Sequence, residues 1–285
     1  MSDRVDSFGV ADAAQASADA SASTRRLTQL VRSVTFRRVG ALLALASIWQ
    51  VAAVVQSNPI MLPSFTRTLA ALWEALADEG LAVAAAASVW VLFKGYAVGV
   101  VLALVLVSLA VANSFAREML LVLTAMLNPL PAIALLPMAL LWFGLGEMSL
   151  VFVLVHSVLW PFALAALTGF QAVPETLRLV GRNYGLRGPS YVALILVPAA
   201  LPSIISGLKI AWAFAWRTLI AAELVFGVSS GQGGLGWFIF RNRNELFTDK
   251  VFAGLLTVII IGLLAETVVF RTIEAATIRR WGMQR

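Results

Sequence analysis

"VPETLRLVGRNYGLRGPSYVALILVPAALPSIISGL", Val173 to Leu208, is a charged, glycine-punctuated interruption between long apolar runs. Uncharged intervals cover 39–66, 95–116, 119–146, 148–174 and 188–208, and 251–270 carries only Glu266. Each meets or approaches the ~20 residues that a helix needs to cross ~30 Å of hydrocarbon. The interruption therefore lies on a membrane face. Pro198 and Pro202 fall inside 188–208, so the helix that follows is placed from near Pro202, through Lys209, Arg217 and Glu223, to about Gly227. Six crossings result, near 39–56, 88–112, 119–143, 148–170, 202–227 and 251–271. The fold class is all-α, a polytopic membrane protein with six transmembrane helices.

Composition agrees. The 285 residues are 60% hydrophobic and 13% charged with mean hydropathy +0.89, against about 45–50% apolar and about 25% charged in soluble domains. The net charge of +6 does not imply nucleic acid, because the basic residues are spread along membrane edges and form no patch on a soluble domain. Six arginines precede the first crossing (Arg4, Arg25, Arg26, Arg32, Arg37, Arg38). Arg117, Arg178, Arg182 and Arg187 fall in the second and fourth connections, and Arg271, Arg279, Arg280 and Arg285 at the end. On the other side Arg67 stands near Glu74, Asp78 and Glu79, and Arg241, Arg243 and Lys250 are mixed with Glu245 and Asp249. The positive-inside rule then makes both termini and the fourth connection cytoplasmic. With no cysteine there is neither a disulfide framework nor a thiolate metal site.

Residues 1–24 are rich in Ala, Ser and Asp and poor in large apolar side chains, a composition that cannot repay the entropy of ordering. The expected organisation is a flexible cytoplasmic tail over 1–38, a membrane domain over 39–272 and a cytoplasmic tail over 273–285. Arg25-Arg26 is not read as a twin-arginine export signal, since the apolar run starts only after Arg38 and no cleavage site is clear. Residues 62–76, LPSFTRTLAALWEAL, predict an external amphipathic helix with Ser64 as N-cap and with Leu69, Leu72, Trp73 and Leu76 at the bilayer interface. The third crossing holds Pro129, Pro131 and Pro137. So many lost backbone hydrogen bonds are tolerated only against other helices or a wet cavity, which makes this crossing central.

The spacing over 173–188 predicts a short helix. Pro174 suits its first position, Glu175 its positive end, and Gly185 a left-handed termination. Leu177, Val180, Gly181 and Tyr184 follow i, i+3, i+4, i+7 as one apolar face notched at Gly181, with Arg178 and Arg182 on the other side. Periodicity leaves two readings open: a helix lying on lipid headgroups, or one that docks a partner.

These residues carry a resemblance. The segment is similar to the cytoplasmic signature of inner-membrane permeases of binding-protein-dependent ABC importers, E-A-A-x-x-x-G, then nine residues, then I-x-L-P. Gly185 falls on the glycine, Ile195 on the isoleucine and Pro198 on the proline; Leu179, Val180 and Gly181 replace E-A-A, and Val197 replaces the leucine. NPLPAIALLPMALLWFGLGEMS (128–149), AWRTLIAAELV (215–225) and FTDKVFAGLL (247–256) resemble the branch serving sulfonates, taurine and nitrate. The resemblance implies a type I importer permease fold in a bacterial inner membrane, working as a homodimer. It further implies a coupling helix (Glu175, Leu177, Arg178, Val180, Gly181, Arg182, Tyr184, Gly185, Leu186, within a coupling segment 173–198) inserted into a cytoplasmic ABC ATPase subunit. A periplasmic or lipid-anchored solute-binding protein would deliver a small anionic solute. ATP and Mg would be held by the ATPase, and no cofactor by this chain. The sequence itself contains no G-x-x-x-x-G-K-[ST] loop.

Charged and polar residues inside crossings are functional suspects. Arg217 and Glu223 lie six apart, hence ~120° apart around a helix and ~9 Å along it, a poor placement for pairing with each other. Arg217 is read either as an anion-facing pathway residue or as half of an interhelical pair, and Glu223 as structural or near an external gate. His156 stands one turn before Trp160; it is a translocation-pathway candidate, and a hydrogen-bonded packing role is expected for it. Trp160 and Trp216 join the pathway candidates, while Lys209 snorkels to the inner edge. Gly231, Gly233 and Gly236 fit G-x-G-x-x-G, but they follow a membrane helix rather than a strand, so a mobile external turn is expected instead of a nucleotide site. Two other classes stand beside the importer. An ion-coupled carrier or channel would act without an ATPase; an intramembrane enzyme finds little chemistry in a chain with one histidine, no cysteine and no H-E-x-x-H.

Overall fold

The computed structural model describes residues 34–226 and 233–279. The expectations for residues 1–33, Arg25-Arg26 included, for Gly227 and Gly231, and for Arg280 and Arg285 lie outside the described residues. Among the described residues every regular element is helical. The helices are α1 Val34–Gln56, α2 Phe65–Ala77, α3 Leu81–Ala112, α4 Ser114–Leu127, α5 Ala132–Phe143, α6 Glu147–Gln171, α7 Glu175–Asn183, α8 Gly188–Ala199, α9 Leu201–Phe226, α10 Leu235–Asn244 and α11 Thr248–Thr277. Five are long and apolar enough to cross a membrane, and the bent pair α4 and α5 makes a sixth crossing.

Contacts divide the chain into Met1–Thr66 and Arg67–Arg285. In the first unit α1 begins at Val34, inside the stretch expected to be tail, and exposes Leu42, Leu45, Ile48 and Val55. The Trp49 indole Nε1–H donates to Pro63 O at 3.0 Å, folding the connection back on the helix.

The second unit is built on a glycine seam. A Cβ at Gly95 would stand 2.5 Å from Leu154 Cβ, and one at Gly99 2.7 Å from Val158 Cβ, so α3 and α6 touch backbone to side chain. Small residues are what permit such approach in membrane helices. Position numbers rise together on the two sides of this seam, so α3 and α6 are parallel. The chain between them must return across the membrane, which makes α4 and α5 one broken crossing. Asn113 starts it by accepting hydrogen bonds from Phe115 N (2.8 Å) and Ala116 N (3.4 Å), an N-cap that ends one helix and opens the next. The break at 128–131 bends the path by 89°.

Antiparallel packing follows. Gly169 abuts Ser203 and Gly207 abuts Ala165, placing α9 against α6. Tyr96 Oη donates to Leu208 O at 2.9 Å, tying α9 to α3. The Trp216 indole donates to Val258 O at 3.3 Å, and the Lys209 ammonium pairs with Glu274 at 2.5 Å and Glu266 at 3.6 Å. These contacts seat α11 against α9. Phe162, Phe170, Leu92, Leu154 and Leu219 lie buried where α3, α6 and α9 meet. In α2, Thr68, Ala71 and Ala75 are buried while Leu69, Trp73 and Leu76 are exposed.

Candidate functional site

Two regions collect the residues singled out by the sequence. The first is α7, on the face where α3 and α6 end. The motif at its C-terminus comes from Gly185, whose φ of 72° only glycine adopts without strain. There Gly185 N donates to Arg182 O at 2.9 Å and Leu186 N to Gly181 O at 3.1 Å, the paired bonds of a Schellman termination. The helix begins after Pro174, with Glu175 in its first turn.

The expected single apolar face divides in two. Gly181 is turned inward: a Cβ there would meet Ile195 Cγ1 at 2.9 Å and Tyr191 Cε2 at 3.0 Å, so the notch receives α8 and not a partner. Arg178 is likewise turned back, donating through Nη2 to Phe170 O at 2.6 Å and through Nε to Val173 O at 3.1 Å, where it satisfies the last carbonyls of α6. Leu177, Val180 and Tyr184 face outward, Tyr184 at 81% exposure. Arg182, Leu186 and Tyr191 border a depression of about 360 Å³ beside them. Within α8 a π-helical turn, Val192–Leu196, precedes Pro198 and absorbs the donor that proline lacks.

The second region is a cavity of about 410 Å³ at the break between α4 and α5. Asn128, Pro129, Pro131 and Ala132 supply one wall, His156 and Trp160 of α6 a second, and Phe214, Arg217 and Thr218 of α9 the third. Arg217 Nε donates to Ala213 O at 3.0 Å and the guanidinium lies 4.9 Å over the Phe214 ring. No carboxylate lies within ion-pair distance of it among the described residues. The interhelical pair considered for Arg217 is thus not what the structure shows. A charge facing lipid at helix centre costs about 2.5–3.5 kcal/mol, and Arg217, exposed on the cavity wall, has no carboxylate among the described residues to offset it. The hydrogen-bonded role expected of His156 is also corrected: both ring nitrogens and the Trp160 Nε1 are buried without a partner among the described residues.

Glu223 and Trp216 do not join this cavity. Successive residues on a helix point ~100° apart, and Trp216, buried, faces α11 through Val258. Glu223 is 2% exposed and is held by Ser88 Oγ and by Gly236 N, each at 2.8 Å. Ser88 Oγ in turn accepts from Leu235 N at 2.8 Å. The carboxyl thus caps the N-terminus of α10, where backbone donors are otherwise orphaned. A Cβ at Gly236 would sit 2.5 Å from Glu223 Cβ, so glycine is required for this approach. The expectation of a mobile turn over the glycine triplet therefore fails for Gly233 and Gly236: Glu223 pins one and Trp237 packs on the other.

Residues 95–272 match the family described as the binding-protein-dependent transport system inner membrane component. The chain belongs to this family. It is a polytopic transport permease and not an enzyme. The taurine transport system permease protein TauC of Escherichia coli (strain K12) is 30% identical over 83% of the chain and 86% of its own length. The putative aliphatic sulfonates transport permease protein SsuC of the same strain is 29% identical over 78% and 83%. The nitrate import permease protein NrtB of Synechocystis sp. (strain ATCC 27184 / PCC 6803 / Kazusa) is 31% identical over 66% and 67%.

Proposed function

We propose that this permease forms half of the translocation pathway of an ATP-driven importer for a small anionic solute. A second copy supplies the other half, and a solute-binding protein loads it from outside. Both termini and α7 face the cytoplasm of a bacterial inner membrane, an orientation supported by Arg117, Arg178, Arg182, Arg187 and Arg271 on that side. There α7 docks into a separate ATPase. Taurine, aliphatic sulfonates and nitrate, named for the relatives, share an oxygen-rich anionic group.

The observation that carries the reading is the exposed row Leu177, Val180 and Tyr184 on a helix braced from behind by Gly181 and Arg178. A helix with apolar side chains on one side and a rigid backing on the other fits helix-in-groove recognition. Motion of the ATPase would reach α6 through the Arg178 bonds and α9 through α8.

Leu177 and Tyr184 are exposed, so Leu177→Asp with Tyr184→Asp leaves the fold intact. Expressed with its partner ATPase, this variant is expected to reach the membrane at wild-type amounts, to lose ATPase co-purification and to abolish ATP-dependent uptake. Full co-purification by the double variant would place docking elsewhere and overturn the proposal.

A further inference from the structure

His156 and Arg217 lie at the same depth. His156 is nine residues from the start of α6 and Arg217 nine from the end of antiparallel α9, ~13.5 Å in each case. The break between α4 and α5 opens at that level, since all three walls line one cavity. Two features there point to the same ligand chemistry. The guanidinium carries a permanent positive charge; only its Nε is engaged, with Ala213 O, and its Nη groups meet no protein acceptor among the described residues. His156 stands in the wall with both ring nitrogens shielded, so it contributes shape there and not a donor. The α5 half-helix opens onto the cavity with its N-terminal residues Ala132 and Ile133, and a helix N-terminus favours negative charge. No acidic side chain lines the cavity. Among the described residues the one charged side chain in the lining is Arg217, which disfavours a cation.

We propose that this cavity is a mid-membrane binding site for one oxyanion of the nitrate or sulfonate class, with Arg217 as its charged donor and with His156 and Trp160 in its wall. The site deepens the importer reading and rests on it for its place in transport, but anion binding is a property of the permease alone. It gives the permease a selection step of its own, after any made outside the membrane. The charge makes the site select for anions.

The experiment uses the full chain in lipid nanodiscs, without ATPase or binding protein. Sodium methanesulfonate or sodium nitrate is titrated against sodium gluconate at constant ionic strength. The readouts are the thermal unfolding midpoint and tryptophan fluorescence, Trp160 standing in the cavity wall. Wild type is expected to show a saturable rise in midpoint with both small anions and none with gluconate. Arg217→Gln weakens the apparent affinity by about tenfold or more, as loss of a charge-assisted hydrogen bond implies. Arg217→Lys keeps part of the response. The midpoint without anion shows that each variant is folded. No saturable response in wild type, or an unchanged one in folded Arg217→Gln, overturns the site. If the site fails while Leu177→Asp with Tyr184→Asp still severs the ATPase, this inference falls and the importer reading stands. If anions bind as expected but wild type recruits no ATPase, the importer reading falls and the site stands.

Discussion

Arg217 and Glu223 are six residues apart on α9 and live in opposite circumstances. Glu223 is buried, and its carboxyl oxygens meet the Ser88 hydroxyl and the Gly236 N–H. Arg217 spends one donor on its own helix and leaves the rest over a cavity. Both sit where an ionisable group is costly, but only one cost is met by the fold. A polar group satisfied by its own chain contributes to stability, whereas one held open is held for something that arrives. Lys209, saturated by Glu274 and Glu266, belongs with Glu223.

The contrast can be broken by substitution. Glu223→Leu strands the Ser88 hydroxyl and the Gly236 N–H, and each stranded buried donor costs about 1–3 kcal/mol. A loss of about 4 kcal/mol is expected, read as a lowered unfolding midpoint in detergent with faster proteolysis near 233–236; Glu223→Gln, which keeps one acceptor, should lose less than half as much. An unchanged midpoint for Glu223→Leu would mean that the clasp on α10 does not hold the fold. Gly99→Leu drives a side chain into Val158 across the α3–α6 seam, where a Cβ already stands at 2.7 Å. Overpacking of that kind costs about 2 kcal/mol, and the same melt should show it. The smallest effect is expected for Arg217→Gln without anion, about 1 kcal/mol or less, because only the bond to Ala213 O and the exposed contact with the Phe214 ring are lost. A large loss there would put Arg217 with Glu223 and dissolve the distinction.

The six crossings were legible because uncharged runs of span length need no tertiary information. The start of α9 could also be placed, since Pro198 and Pro202 leave little choice for where a helix resumes. The prolines at 129, 131 and 137 announced a disturbed third crossing. They could not announce an 89° bend, because its direction depends on which neighbours receive the two halves. The α10 helix was missed: LGWFIFRNRN has neither span length nor a clear stripe, and it exists where Glu223, distant in sequence, caps it. The same limit misplaced Gly181 and Arg178. Periodicity assigns residues to a face but not to a side of the protein, and Tyr191, Ile195 and the α6 carbonyls decided the matter.

Lys209, Trp216 and Glu223 attach one continuous helix to three different places: the far end of α11, its middle, and the α3–α10 junction. Adding or removing a single residue between any two of them would turn one attachment by ~100° away from its counterpart. Sequences that keep these three attachments must therefore diverge in this stretch by exchanging side chains and never by changing its length. A gap opened between positions 209 and 223 when chains of this kind are compared would mark one whose helix is fastened differently.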